Sequence, residues 1–354
     1  MVTVGINGFG RIGRNCLKIC LEKNIEVKHI NDPFIQTDYM IYLFKYDSTH
    51  GVNKLPIRCE DNSIVINDKG TITTSCEKDP TKIKWEDAGV RFVIEATGIF
   101  KELEKAQMHR KAGAEFVVIT APSNDVPTFI YGVNHHKYDR HRHGHCISAS
   151  SDTANCAAPL VAVMHQNFGV EEAMITAIHA VTADQRIVDG PTVKLWRSGR
   201  SALQNIIPSP TGTAKCIGKV IPELKNKVQA ISFRVPVANV SVCDITFRVT
   251  QPTTYEQVKR VMRTAATGEL KGVLNYTEDD CVSTDFNCTP YSCTFDAKAA
   301  IPLTSTFVKV VAWYDNEYGY ANRVIDLILH MSSVDSGSVY SYKEIDELIK
   351  EESL

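Results

Sequence analysis

The chain has 354 residues, of which 44% are hydrophobic and 23% are charged, and its formal net charge at pH 7 is -2. This length exceeds what one core usually holds, so we expect two domains, and the apolar content suffices to build both. The small net charge gives no electrostatic reason to expect a nucleic acid or an anionic membrane as the main partner, which favours small molecules.

The distribution of apolar residues and cysteines indicates a cytoplasmic protein. No window approaches the roughly 18 consecutive apolar residues of a membrane span, and the chain opens on a glycine-rich pattern instead of a signal peptide. The 11 cysteines are odd in number and show no paired spacing. We therefore expect reduced thiols, with no disulfide framework and no metal site.

The N-terminal segment predicts a strand, a tight turn and a helix. An apolar run over residues 2–6 precedes three glycines with G-x-G-x-x-G spacing, and a helical pattern covers residues 15–22. The first glycine of such a motif permits the turn, the second lets a pyrophosphate approach the backbone, and the third lets helix pack closely on strand. The helix N-terminus adds amide donors for phosphates. The predicted dinucleotide site comprises Gly8, Gly10, Arg11, Ile12 and Gly13.

An acidic residue follows the next predicted strand. The apolar segment 26–30 ends in Asn31, Asp32 and Pro33, which places a carboxylate about 20 residues beyond the glycine motif, as a ribose-binding acid requires. Asp32 would accept hydrogen bonds from the ribose hydroxyls and repel a 2′-phosphate, so NAD is favoured over NADP. The alternative is that Asp32 is only a turn residue before Pro33.

Strands and helices continue to alternate along the first part of the chain. Residues 91–96 and 115–120 read as strands, and residues 101–112 read as the helix between them. This alternation predicts an α/β fold with a Rossmann-type, doubly wound parallel sheet. Ligands collect at the carboxyl ends of such strands, which is where the remaining candidates for cofactor binding fall, namely Thr97, Gly98 and Thr120.

A segment rich in histidine, residues 135–145, follows this part of the chain. Its basic and imidazole groups would suit metal binding or pH sensing. However, no cysteine or carboxylate is spaced to complete a closed site. We therefore interpret the segment as a solvated loop.

The second half of the chain has a different pattern. We expect a helix over residues 157–166, a strand over 173–180 and further strands up to residue 312, with an amphipathic helix at 255–266. These features predict an α+β catalytic domain with a mostly antiparallel or mixed sheet. The long irregular stretch 186–209 indicates a functional segment or an interface.

The C-terminal part of the chain contains an apolar helix and a tail. Residues 324–330 predict a helix that returns to the first domain. We interpret residues 332–340 as a serine-rich linker and residues 342–352 as a charged segment with apolar residues at helical spacing. This tail is either solvated or docked on a partner or on the protein itself.

The segment of residues 147–159 reads Ile-Ser-Ala-Ser-Ser-Asp-Thr-Ala-Asn-Cys-Ala-Ala-Pro. It resembles the active-site segment of phosphorylating glyceraldehyde-3-phosphate dehydrogenases, in which Ala-Ser-Cys-Thr-Thr-Asn-Cys leads into a helix and the first cysteine is the nucleophile. Asp152 stands at the nucleophile position, and the flanking Ser151, Thr153, Asn155 and Cys156 secure that frame. Further motifs extend the resemblance from about residue 2 to residue 331, among them the glycine motif, Asn31-Asp32-Pro33-Phe34, Phe233-Arg234-Val235-Pro236 and Trp313-Tyr314-Asp315-Asn316-Glu317.

This resemblance implies a homotetramer that binds NAD and, in glycolysis, oxidises and phosphorylates a phosphorylated aldehyde with inorganic phosphate. The domains it implies are an NAD-binding domain of residues 1–151 and 316–331 and a catalytic domain of residues 152–315, with residues 332–354 as linker and tail. It also implies NAD contacts from Lys78 and Asn316, although Lys78 could equally lie on solvated surface.

The resemblance also implies the roles of residues in the catalytic domain. His179 matches the histidine that lowers the pKa of the nucleophilic thiol and acts as base. Residues matching the two phosphate sites of the family are Ser151, Thr153, Thr211, Gly212 and Arg234 for inorganic phosphate, and Thr182 with Arg234 for the substrate phosphate. Asp184 stands where the family has a threonine that donates to the second phosphate. A carboxylate there is an acceptor facing an acceptor.

Three hypotheses follow from the substitution at residue 152. In the first, the chain keeps NAD binding but has lost most or all of the family activity, because a carboxylate is a poor nucleophile and Asp152 would pair with His179. In the second, Asp152 and His179 support another chemistry on a small aldehyde or ester. In the third, the chain is an assembly protein that forms mixed tetramers with an active paralogue through residues 186–209. The first and third hypotheses are compatible.

Overall fold

The computed structural model describes residues 2–66, 69–193 and 195–335. The strands in chain order are β1 Thr3–Asn7, β2 Glu26–Asn31, β3 Tyr46–Asp47, β4 Gly51–Val52, β5 Ile57–Glu60, β6 Ser63–Ile66, β7 Gly70–Ser75, β8 Phe92–Glu95, β9 Phe116–Ile119, β10 Cys146–Ser148, β11 Val170–His179, β12 Ile207–Ser209, β13 Val228–Arg234, β14 Ser241–Val249, β15 Leu274–Thr277, β16 Cys293–Asp296, β17 Ile301–Thr304 and β18 Phe307–Tyr314. The α-helices are α1 Arg11–Glu22, α2 Thr37–Lys45, α3 Leu103–Lys111, α4 Arg140–His143, α5 Asp152–Phe168, α6 Thr213–Val220, α7 Tyr255–Thr267 and α8 Tyr318–Asp335.

Among the described residues, the first compact unit comprises those up to Phe129, His135–Ser150 and residues 321–335. Its sheet has the strand order β10-β9-β8-β1-β2-β7-β6-β5. The pairs from β10 to β7 are parallel, whereas β6 pairs antiparallel with β7 and β5 with β6. This is the Rossmann order with an antiparallel extension at one edge. The predicted doubly wound sheet is confirmed.

Continuous apolar runs explain why the central strands of this sheet are buried on both faces. All four residues of β8 and all four of β9 are buried, as expected for parallel strands covered by helices. Helix α1 buries one face, including Cys16, Leu17 and Cys20, and begins at Arg11, directly after Gly10. The helix therefore starts four residues before the predicted helical pattern, because the glycine turn leads straight into it.

The second compact unit comprises Ile130–Asn134 and Ser151–Tyr320. Its sheet has the order β12-β13-β11-β14-β18-β16-β15, and β17 pairs with β18. Two pairs, β11 with β13 and β15 with β16, are parallel, and the others are antiparallel, so the predicted mixed sheet is confirmed. Helix α5 is buried along most of its length. The predicted domain boundaries differ from these units, because Ile130–Asn134, Ser151 and residues 316–320 belong to the second unit.

Two sequence interpretations require correction. Residues 332–335 belong to helix α8, which begins at Tyr318, so the predicted linker does not start at residue 332. The rest of the linker and the predicted tail lie outside the described residues. The histidine-rich segment is not a simple solvated loop, because it forms a short turn of helix at His135–Lys137 and helix α4, which Asp139 caps. The His135 ring also packs against His330, with ring centroids 4.9 Å apart.

The irregular stretch 186–209 contains a single turn of 3₁₀ helix at Trp196–Gly199 and ends in β12. Among the residues that the structure describes, no helix combines the length and apolar character needed to cross a membrane.

Candidate cofactor and catalytic sites

The first unit contains a cavity of about 420 Å³ at the carboxyl ends of its parallel strands. The residues lining it include Gly8, Gly10, Asp32, Lys78 and Thr97, all predicted from sequence as cofactor contacts. Ligands of doubly wound sheets bind at this end of the strands, so the cavity has the expected location for a dinucleotide. The cofactor contacts predicted from sequence lie on four separate segments of the first unit, and the fold places them around one cavity.

The geometry of the glycine turn explains each of its three glycines. Gly8 has a φ of +94°, which residues with a Cβ rarely adopt, and a Cβ at Gly13 would lie 2.0 Å from the carbonyl oxygen of Gly8. A Cβ at Gly10 would meet nothing within 4 Å, and Gly10 is the residue that precedes helix α1. The open side of Gly10 and the start of α1 therefore leave room for a phosphate at the amide donors of the helix N-terminus.

The carboxylate of Asp32 is held against this turn. One oxygen accepts from the backbone N–H of Phe9 at 2.8 Å, and the other accepts from the N–H of Phe34 at 2.9 Å. Asp32 is 8% exposed and lines the cavity. Each oxygen retains acceptor capacity, so the carboxylate can stabilise the turn and still accept from ribose hydroxyls.

Other predicted cofactor residues have different surroundings. The guanidinium of Arg11 pairs with Asp47 at 2.6 Å and does not line the cavity, so only the backbone of Arg11 belongs to the helix start. Lys78 lies over the ring of Phe34 at 5.9 Å. Thr120 donates its hydroxyl to the carbonyl oxygen of Glu95 at 3.0 Å. Ile12, Gly98 and Thr120 are absent from the cavity lining.

Asn316 lies in the second unit, unlike the other predicted cofactor residues. Its side-chain oxygen accepts from the hydroxyl of Ser241 at 3.1 Å. The same hydroxyl accepts from the backbone N–H of Ala180 at 3.0 Å, so Asn316 is linked to the strand end that carries His179.

Asp152 begins helix α5 in the second unit. The preceding Ser151 caps the helix by accepting from the N–H of Ala154 at 3.2 Å, and an acidic residue in the first turn suits the helix dipole. One oxygen of the Asp152 carboxylate lies 2.9 Å from Nε2 of His179. The Asp152 side chain is 21% exposed and that of His179 is 5% exposed, so the pair is largely shielded from water.

The protonation of this pair follows from its neighbours. Burial raises the pKa of Asp152, but the charge and hydrogen bond of His179, the N–H of Thr153 and the charge of Arg234 outweigh it and hold the pKa below its ordinary value. Asp152 is therefore an ionised acceptor, and Nε2 of His179 carries the hydrogen that lies between them. This nitrogen cannot accept a proton from a substrate while the pair is intact.

The second nitrogen of His179 is also occupied. Nδ1 lies 2.7 Å from the carbonyl oxygen of Ala180 and within hydrogen-bond distance of the guanidinium of Arg234. Arg234 also donates to the carbonyl oxygen of Ala180 at 3.3 Å. The structure thus brings Asp152, His179 and Arg234 together as predicted, but their polar atoms are directed at one another.

Several residues predicted to contact phosphate also direct their polar groups at neighbouring side chains. The Thr182 hydroxyl donates to Asp184, and the Thr182 N–H donates to the side chain of Gln185 at 3.0 Å. The Thr153 hydroxyl hydrogen-bonds to Tyr314 at 2.9 Å. In contrast, Gly212 precedes helix α6 with open space beside it, and Thr211 pairs with the Thr213 hydroxyl at 2.8 Å.

Cys156 lies one turn along α5 from Asp152, and its thiol faces the interior of the unit. It is fully buried and hydrogen-bonds with Cys243 and Cys293. Burial, and then these hydrogen bonds, raise the pKa of the Cys156 thiol well above its ordinary value. A thiolate is therefore strongly disfavoured at this position.

Sequence reasoning missed Tyr314 and Glu95. Tyr314 is buried beside Thr153 and His179. Glu95, the last residue of β8, is 1% exposed and accepts hydrogen bonds from residues of the cofactor cavity. A charged residue at the end of an otherwise apolar strand was the available signal for Glu95.

The parallel sheet in Rossmann order, with its glycine turn and acidic residue, defines a dinucleotide-binding α/β protein that carries a second unit built on a mixed sheet. Residues 2–103 match the family model for the NAD binding domain of glyceraldehyde 3-phosphate dehydrogenase, and residues 151–316 match the model for its C-terminal domain. The chain belongs to the glyceraldehyde-3-phosphate dehydrogenase family. The predictions of the family and of NAD as the cofactor are confirmed by these matches.

Relatives named glyceraldehyde-3-phosphate dehydrogenase align over nearly the whole chain. The protein from Glossina morsitans morsitans is 52% identical over 336 residues, which cover 95% of this chain and 100% of the relative. The protein from Danio rerio is 53% identical over 334 residues, covering 94% and 99% respectively. A testis-specific protein from Mus musculus is 52% identical over 332 residues, covering 94% of this chain and 75% of the relative.

Proposed function

We propose that this chain is an NAD-binding member of its family in which the oxidative phosphorylation of glyceraldehyde 3-phosphate is lost or strongly impaired, because Asp152 stands at the nucleophile position. The observation that carries the proposal is the 2.9 Å contact between Asp152 and Nε2 of His179. In this contact the residue at the nucleophile position and the residue at the base position are hydrogen-bonded to each other.

The chemistry of the family reaction explains why this contact matters. A thiolate adds to the aldehyde, hydride then passes to NAD, and phosphate attacks the resulting thioester. A carboxylate adds poorly to an aldehyde, and loss of a covalent nucleophile can reduce a rate by on the order of a million-fold. His179 donates through Nε2, so it is not poised to remove the proton of an adduct.

The substituted carboxylates also oppose binding of anions. A phosphate within about 5 Å of the Asp152 carboxylate would meet repulsion on the order of 3 kcal/mol before screening, at an effective dielectric constant of about 20. Asp184 takes the hydroxyl hydrogen of Thr182, which a substrate phosphate would otherwise use. Phosphorylated aldehyde and inorganic phosphate are therefore expected to bind weakly.

The residues of the first-unit cavity fit NAD. The open side of Gly10 and the start of α1 suit the pyrophosphate, and Asp32 suits the ribose hydroxyls. Lys78 and Thr97 line the same cavity. When bound, NAD would supply the hydride acceptor. The residues of this chain would bind and orient it whether or not an oxidation follows.

Two assays on the purified chain test the proposal. Calorimetric titration should detect NAD binding, and spectrophotometry should detect no NADH formation with glyceraldehyde 3-phosphate and phosphate, with the relative from Danio rerio as the active control. Turnover near that of the control would overturn the loss of activity. Hydrolysis of a small ester that disappears in Asp152→Asn would instead support another chemistry for Asp152 and His179.

A second role, in assembly, is supported by exposed apolar side chains in the 186–209 stretch. Ile187, Val188 and Trp196 are 69%, 72% and 87% exposed in the isolated chain. Apolar surface of this kind favours burial against another protein chain. We propose that this stretch contributes to a homotetramer or to mixed tetramers with an active paralogue in the cytoplasm.

Co-purification from cells tests this second role. A fixed stoichiometry with a cysteine-bearing paralogue supports mixed tetramers, and a uniform homotetramer contradicts them. Trp196→Ser should weaken either assembly, whereas Leu303→Ser, at a 74% exposed apolar position outside this stretch, is the matched control and should leave assembly unchanged.

A further inference from the structure

A buried carboxylate lies behind the cofactor cavity of the first unit. Glu95 ends β8 and is directly paired in the parallel register with Asn7, the last residue of β1. Its side chain is completely buried, and so is that of His109, which lies 2.9 Å from it. A buried carboxylate requires hydrogen bonds from its surroundings, since it has lost the bonds to water.

Donors surround both oxygens of Glu95. One oxygen accepts from the side-chain amide of Asn7 at 2.6 Å and lies 2.9 Å from Nε2 of His109. The other accepts from the backbone N–H of Thr97 at 2.8 Å and from the Thr97 hydroxyl. That hydroxyl also accepts from the N–H of Ile99 at 3.1 Å, so its hydrogen is directed at Glu95.

The state of His109 follows from its other neighbour. The indole N–H of Trp85, which can only donate, lies 3.1 Å from Nδ1 of His109. Nδ1 is therefore the acceptor, and Nε2 carries the hydrogen that is donated to Glu95. His109 thus donates to Glu95, as do Asn7 and Thr97.

Three of the four groups that donate to Glu95 belong to residues of the cavity wall, Asn7 and Thr97. Asn7 is held from its other side as well, because its oxygen accepts from Asn31 at 2.8 Å. The turn after β8 passes through Gly98 with a φ of +69°, and both polar groups of Thr97 that bind Glu95 lie at the start of that turn.

We propose that Glu95 is a positioning residue for NAD, a buried carboxylate that fixes Asn7 and the turn from Thr97 to Ile99 in the conformation that binds the cofactor. This inference rests on the proposed placement of NAD in the first-unit cavity. Glu95 acts through Thr97 and Asn7 and does not itself line the cavity. Preorganisation of this wall reduces the conformational cost of binding.

The substitution that isolates this role is Glu95→Gln, which keeps the shape of the side chain. Either orientation of the new amide places its nitrogen where a Glu95 oxygen accepted hydrogen bonds, facing the donors of those bonds. The cavity wall therefore loses hydrogen bonds in both orientations. We expect NAD to bind at least about ten-fold more weakly, as one misplaced buried hydrogen bond implies. Glu104→Gln, an exposed position at the start of α3, is the matched control and should bind NAD as the wild type does.

A double-mutant cycle separates positioning from a merely structural role. Thr97→Val removes the hydroxyl donor, whereas Thr97→Ser retains it, so only the valine variant should bind NAD more weakly. The combined effect of Glu95→Gln and Thr97→Val should be smaller than the sum of the single effects, since both break the same contact. Calorimetric titration with NAD, and circular dichroism to verify folding, provide the readouts.

The outcomes are distinguishable. Wild-type NAD affinity in a folded Glu95→Gln variant would overturn the inference, and so would additive effects in the cycle. If Glu95→Gln does not fold, wild-type NAD affinity in Thr97→Val would overturn it. The variant Asp32→Asn tests whether NAD binds in the first-unit cavity. If it weakens NAD binding while Glu95→Gln does not, only the positioning role fails. If neither variant changes the affinity, the placement of NAD in this cavity fails too.

Discussion

The Nε2 hydrogen of His179 lies between the imidazole and the carboxylate of Asp152, with 2.9 Å separating the nitrogen from the oxygen. The nitrogen opposite, Nδ1, is within reach of Arg234. A residue that the resemblance assigns to proton transfer and one that it assigns to phosphate binding are thus both engaged by neighbouring side chains. Removing the Asp152 carboxylate should release Nε2 of His179.

Asp152→Asn should improve binding of inorganic phosphate by about ten-fold or more, because it removes a negative charge while keeping the shape of the side chain. Phosphate titration followed by ³¹P NMR measures the change. Asp280→Asn, at an exposed position that pairs with Lys298, is the control for a general change in net charge. Equal phosphate affinity in the wild type and Asp152→Asn would show that the carboxylate does not oppose anions here.

Asp152→Cys should restore measurable NADH formation, and the combination with Asp184→Thr should restore more. The first change returns a thiol to the start of α5, and the second releases the Thr182 hydroxyl for the substrate phosphate. The second change should act mainly on KM, by about ten-fold, since it restores a hydrogen bond to a charged group. If Asp184→Thr changed kcat alone, residue 184 would not act through binding of the substrate phosphate.

The stability advantage of the wild type over Asp152→Asn should depend on pH. The folded pKa of Asp152 lies below its ordinary value of 3.8, so its ionised form stabilises the fold. The contribution is fully present above the unfolded pKa and is lost as pH falls through the folded pKa. The difference between the urea unfolding midpoints of the two proteins should therefore be equal at pH 7 and pH 5 and begin to shrink only at pH 3. A constant difference would indicate that the carboxylate charge is not involved.

Gly10→Ala and Gly13→Ala form a matched pair in one turn. A methyl group at Gly10 has open space, so this variant should fold normally and lose NAD affinity. A methyl group at Gly13 would lie 2.0 Å from the Gly8 oxygen, so this variant should lose stability, by about 1–3 kcal/mol or more. Thermal unfolding and NAD titration distinguish them. Native NAD affinity in Gly10→Ala would place the pyrophosphate elsewhere.

The sequence by itself determined the features that depend on local backbone geometry and periodicity. The spacing of Gly8, Gly10 and Gly13 predicted the turn. Gly8 needs a positive φ, Gly10 leaves open space for a phosphate, and Gly13 has no room for a side chain. Asp32 followed from its spacing along the chain, and the alternation of strands and helices predicted the parallel sheet. The position of Asp152 at the start of a helix came from the resemblance of its flanking residues to a family motif.

Only the tertiary structure decided which polar groups are partners. Arg11 belongs to the glycine motif, yet its guanidinium pairs with Asp47. Glu95 joins Asn7, Thr97 and His109, which lie on separate segments, and Cys156 packs with thiols from two distant strands. The physical reason is that spacing along a chain fixes only nearby contacts, whereas a buried polar group is satisfied by whichever segments the packing of the whole sheet brings beside it.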